Sequence, residues 1–112
     1  MILSGVASKT EAQRALKALP AMKSAVKPGA PYMYHYYVAA LIESGLKAEA
    51  KEALTSYWGG MIKKGADTFW EVYDPADELK SPYNFAPINS YCHAWSCTPV
   101  YFIRKYPEIF QQ

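Results

Sequence analysis

The chain has 112 residues, 51% of them apolar and 15% aromatic, with a formal net charge of +2. That length allows one domain with a real core, and the apolar content is high for one small core to hide. Acidic and basic residues are interspersed with no basic stripe, and no apolar run nears the roughly 20 residues of a membrane span, so nucleic acid and membrane are excluded as expected partners.

The first residues, Met1-Ile2-Leu3-Ser4-Gly5-Val6-Ala7, lack the basic start and long apolar core of a signal peptide. They read as the last turn of a helix, and localisation stays open. A first complete helix is predicted over 9–19: Ser8 and Glu11 form a capping box, and Ala12, Ala15, Leu16 and Leu19 share one face. Pro20, Pro28 and Gly29 bracket a connection. A second helix is predicted over 31–44, entered by Pro31 and stopped by Gly45. From Tyr32 to Ile42 its only ionisable side chains apart from tyrosine belong to His35, so it reads as buried nearly all round.

The third helix, 47–64, carries a stripe of Ala50, Ala53, Leu54, Tyr57, Trp58 and Met61 opposite Lys47, Glu49, Lys51 and Glu52. Gly59-Gly60 inside it costs roughly 1 kcal/mol per glycine, which points to close backbone packing or a break. The stretch from Ala66 to Ser90 has neither helical nor strand period yet carries Phe69, Trp70, Tyr73, Tyr83 and Phe85. A loop so long and so aromatic reads as functional rather than disordered. A last helix is predicted over 90–105, with Pro99 kinking it or restarting it with Thr98 as cap.

The two cysteines, Cys92 and Cys97, are spaced too far round a helix to face each other. With only His93 nearby they make no zinc set, and two reduced, buried thiols are expected. No cofactor and no metal are implied. The fold class is all-α.

Four blocks in order carry a family resemblance: Gly29-Ala30-Pro31-Tyr32-Met33, Tyr57-Trp58-Gly59-Gly60-Met61, Gly65-Ala66-Asp67-Thr68-Phe69-Trp70-Glu71, and Asn89-Ser90-Tyr91-Cys92-His93-Ala94-Trp95-Ser96. They resemble bacterial α-L-rhamnosidases, six-hairpin glycosidases of the (α/α)6 toroid type, from Val6 to about Ile103. The resemblance implies a partial toroid of helical hairpins with a long functional loop. It makes residues 1–112 one partial domain from the C-terminal part of a catalytic domain, without the segment that supplies the general acid.

The resemblance further implies inverting hydrolysis of α-L-rhamnosides. Glu71 takes the place of the general base, Trp70 and Trp58 those of sugar-facing aromatics, and His93 that of a histidine near the sugar hydroxyls. Asp67 departs from the small hydroxylated residue usual at its position. The expected partners are a rhamnose-containing carbohydrate and either a second copy in a dimer or the missing remainder of the toroid. Without the acid, the chain alone is expected to be inactive.

Plainer roles stand beside these. Glu71 alone could be a solvated loop acid, and His93 on an apolar helix a satisfied core histidine. His35 reads as structural, Asp74, Asp77 and Glu78 as solvated acids. For Trp58 and Trp95 core packing has at least the weight of ligand stacking. The alternative functions are a non-catalytic carbohydrate-binding or degenerate helical module that oligomerises, and a purely structural assembly role.

Overall fold

The computed structural model describes residues 1–111. Its elements are α1 (Lys9–Ala18), α2 (Pro31–Glu43), α3 (Lys47–Lys63), α4 (Thr98–Lys105) and α5 (Pro107–Phe110), with single 3₁₀ turns at Leu19–Ala21, Ala86–Ile88 and Ala94–Ser96. No strand occurs among the described residues, so the all-α expectation holds.

The capping box opens α1 as read from the sequence. The Ser8 N–H donates to Glu11 Oε2 at 2.9 Å, and Ser8 Oγ accepts the Glu11 N–H at 3.4 Å. Ala12 and Leu16 of its apolar face are buried, whereas Ala15 is exposed. Helices α2 and α3 form a hairpin joined by Ser44-Gly45-Leu46. Gly45, at φ 78°, lets the Leu46 N–H reach the Leu41 carbonyl and its own N–H reach Ile42, which closes α2. Gly65, at φ 93°, ends α3 with the matching pair, Ala66 to Met61 and Gly65 to Ile62. Residues Met1–Val6 close on the same bond pattern around Gly5, in keeping with a helix-end turn.

The core lies between these two helices and the C-terminal segment. Val38 and Leu41 of α2 meet Leu54, Tyr57, Trp58 and Met61 of α3, with Phe102 and Ile109 closing the far side. The α3 stripe is therefore inward, as its period required. For α2 the expectation of burial all round fails in its first half. Tyr32, Met33 and Tyr36 are exposed, because no element among the described residues covers that flank.

Helix α4 is shorter than the helix predicted over 90–105. It starts at Thr98 with Cys97 in the cap position and Pro99 in its first turn, where a proline's missing N–H costs nothing. Thr98 does not cap; its Oγ1 lies 3.1 Å from His35 Nδ1. His35 also stacks on Phe102, which gives it the structural role expected. Asn89 and His93 are extended instead of helical. Main-chain bonding to residues 69–71 holds this segment: the Glu71 N–H donates to Ser90 O at 2.8 Å and the His93 N–H to Phe69 O at 2.9 Å. The cysteines follow from this. With no helix there to give them an inward face, Cys92 and Cys97 are free and exposed, not buried. No helix of the described residues is long and apolar enough to cross a membrane.

Candidate active site

The functional loop is fastened to α3 through two aromatic side chains. Trp58, 2% exposed, donates its indole N–H to Ser96 O at 2.8 Å. Ser96, itself fully buried, donates its hydroxyl to Trp70 O at 2.7 Å. From the adjacent residue of α3, the Tyr57 hydroxyl donates to Tyr73 O at 3.0 Å, and Tyr57 stacks on Tyr34 with ring centroids 3.7 Å apart. Residues 70 and 73 are thus tied to the helix on either side of Glu71.

Glu71 is 4% exposed, a rare placement for a carboxylate, and it is satisfied there. Oε2 accepts the Ser90 N–H at 3.0 Å and Oε1 accepts the Tyr83 hydroxyl at 2.5 Å. The Ser90 N–H bond and then the Tyr83 bond hold its pKa below the usual glutamate value, with the nearby His93 adding to the effect and burial opposing it. At neutral pH Glu71 is therefore a carboxylate able to accept a hydrogen bond from a hydroxyl or a water.

It opens on a hollow of about 330 Å³ whose wall includes Tyr32, Met33, Tyr83, Lys80 and Trp95. Glu71 is the only carboxylate among the residues lining this hollow. Trp95, 47% exposed, lies between His93 at a ring separation of 4.2 Å and Tyr32 at 5.5 Å. From the sequence, core packing has at least the weight of ligand stacking for this tryptophan, because a helix there would set it at core spacing. The non-helical path of residues 90–97 turns it outward.

The other sequence-predicted residues are distributed differently. Trp70 lines an adjoining hollow of about 220 Å³ with Tyr73 and Tyr91, and the two hollows share Val72 and Lys80. His93 lines a third, of about 490 Å³, beside Phe69 and Cys97. Trp58 has no open face for a sugar and acts beneath the loop, through Ser96. Of the loop acids, Glu78 pairs with Lys64, while Asp74 and Asp77 each accept a local backbone N–H, from Ala76 at 2.9 Å and Leu79 at 3.0 Å. No group of three or more potential metal ligands is found among the described residues.

No protein-family model matches the chain, and neither does any curated protein. Among solved structures it is similar to a rhamnosidase from Klebsiella oxytoca with rhamnose bound, at 46% identity and a TM-score of 0.88 over 95% of this chain. The chain spans 21% of that protein's length. It is thus rhamnosidase-like in sequence and fold over nearly all its residues, an all-α part of a helical toroid.

Proposed function

We propose, from this kinship with the rhamnosidases, that the chain is the C-terminal part of an inverting glycoside hydrolase domain acting on α-L-rhamnosides, with Glu71 as its general base. The observation that carries the reading is a buried carboxylate, fixed by two donors, at the edge of an aromatic hollow. In inverting hydrolysis such a carboxylate takes a proton from water as the water bonds to the anomeric carbon, while an acid about 6.5–9.5 Å away protonates the leaving oxygen. A base held below the usual glutamate pKa is weak towards free water. It suits a water whose acidity rises as it bonds to an electron-poor carbon.

Trp70 directly precedes Glu71 in the chain and His93 lies near enough to act on its charge, and both are assigned to the sugar. Trp95 and Tyr32 add the apolar faces on which a pyranose ring stacks. Trp58 is reassigned to support of the loop. With one carboxylate at the hollow, the chain alone is expected not to turn over a rhamnoside.

The test is a chimera in which this chain replaces the matching segment of the Klebsiella oxytoca rhamnosidase. Positioned general-base catalysis is worth about 10²–10⁴-fold. Glu71→Gln should therefore depress kcat by that order while sugar binding persists. Near-normal kcat in the Glu71→Gln chimera would remove Glu71 from the mechanism. The single carboxylate also favours a second reading, a module that binds sugar without catalysis. A folded chimera that binds rhamnose calorimetrically yet never hydrolyses a rhamnoside would select it.

A further inference from the structure

Tyr83 is half-exposed, and its neighbours Pro82, Asn84 and Phe85 are exposed, so packing does little to hold its ring. Its position is set by polar bonds instead. The Tyr83 N–H donates to Ser81 Oγ at 3.1 Å, the Ser81 hydroxyl donates to Asn89 Oδ1 at 2.8 Å, and the Asn89 amide donates to Lys80 O at 2.8 Å. Asn84 turns the chain just beyond with φ 55°, in the left-handed region that asparagine tolerates better than most residues. Together these bonds staple Lys80 to Asn89 and present the phenol to Glu71. The next residue, Ser90, supplies the second donor to the same carboxylate. One short loop therefore delivers both bonds that Glu71 receives.

We infer that Tyr83 is a positioning residue for Glu71: its hydroxyl on Oε1 and the Ser90 N–H on Oε2 fix the carboxylate plane, so that its remaining lone pairs meet a water in the hollow. This rests on the reading of Glu71 as the base. The two bonds use one acceptor site on each oxygen and leave the other free. The phenol keeps its proton, because the bond to Glu71 raises its pKa. It can therefore orient the base without exchanging a proton with it. Charged or titratable groups facing Glu71 besides Tyr83 are His93, and Lys80 and Tyr32 on the wall of the hollow.

Two measurements decide the matter. In the 112-residue chain, carboxyl-carbon NMR follows the titration of Glu71 in the parent and in Tyr83→Phe. The ring is retained and the donor lost, so the Glu71 midpoint should rise towards the ordinary glutamate value. Asn89→Ala, which loosens the staple without touching the phenol, should move it the same way by less. An unmoved midpoint in Tyr83→Phe would overturn the inference. In the chimera, Tyr83→Phe should lower kcat roughly 10- to 100-fold by loss of orientation. KM should change little, and the acidic limb of kcat/KM should move to higher pH. Unchanged kcat and an unmoved limb would equally overturn it. The NMR result stands whether or not Glu71→Gln abolishes turnover, so failure of the clamp and failure of the base are told apart.

Discussion

Gly59 and Gly60 are neighbours in the same helix, yet the structure gives them opposite surroundings. A Cβ built on Gly60 would lie 2.5 Å from Tyr73 Oη, 2.8 Å from Cε1 and 2.9 Å from Cζ; one built on Gly59 meets nothing within 4 Å. Replacing either by alanine gains about 1 kcal/mol of helix propensity. Gly60→Ala must in addition drive the Tyr73 ring back by about 1 Å, against contacts that do not yield freely. That ring packs edge-on against Tyr57 and Trp70, and its own carbonyl holds the Tyr57 hydroxyl at 3.0 Å. Overpacking of this kind costs about 1–3 kcal/mol. The propensity gain cancels between the two variants, so their difference isolates the packing cost. Gly59→Ala should exceed Gly60→Ala in Tm by roughly 4–12 °C, at about 4 °C per kcal/mol for a domain of this size. Thermal and urea unfolding followed by circular dichroism at 222 nm would measure it. Equal stabilities, or a Gly60→Ala chain more stable than the parent, would show that Tyr73 does not seat on the glycine.

Two further outcomes are expected. Acidification should destabilise the chain in two windows. His35 is held below its ordinary 6.5, chiefly by burial and then by the Lys105 charge, so the unfolded chain takes that proton first. Stability should then fall as pH drops from about 6.5 towards the lower folded value. Glu71, lowered from 4.5, binds its proton more readily unfolded, so a second loss should run downward from about pH 4.5. His35→Gln should erase the upper window and Glu71→Gln should shrink the lower one, to which the lowered Glu11 and Glu78 also contribute, read from urea midpoints at constant m. An unchanged profile in both variants would refute the assignment. The chain should also sediment as a dimer at micromolar concentration, because Tyr32, Met33 and Tyr36 of α2 and Trp95 beside them lie exposed together. Tyr36→Glu should shift it towards monomer, and a parent chain that is already monomeric would contradict this expectation.

What could be read from the sequence was what repeats along a helix. The α3 stripe, the α1 capping box and the glycine stop after α2 are written in residues a few positions apart, and each holds. Burial around α2 was misjudged because an apolar composition states what a helix prefers to bury. It does not say which neighbours are present to do so. The error over residues 90–97 had another source. Tyr91, Ala94 and Trp95 mimic a helical face, but Ser90 and His93 give their main-chain groups to Glu71 and Phe69 across a long separation. No local signal reports such a pairing, and it decides that Cys92, Cys97 and Trp95 face outward.

The site shows the same division. Glu71 is singled out by the Phe-Trp-Glu context and the resemblance together, and the structure gives it a buried, bonded setting where a lone loop acid would be solvated. Tyr83 is not, since a tyrosine in a polar loop carries no spacing that points to a carboxylate twelve residues earlier. Trp58 was legible as important but not in kind. A tryptophan at core spacing can serve a sugar with its face or a loop with its N–H, and the partner at Ser96 lies 38 residues away. That N–H joins the helix to the loop through one buried serine, so the packing of α3 and the posture of Glu71 are mechanically one unit. A change in the core beneath the loop, made far from any ligand, should therefore register first in the orientation of the carboxylate.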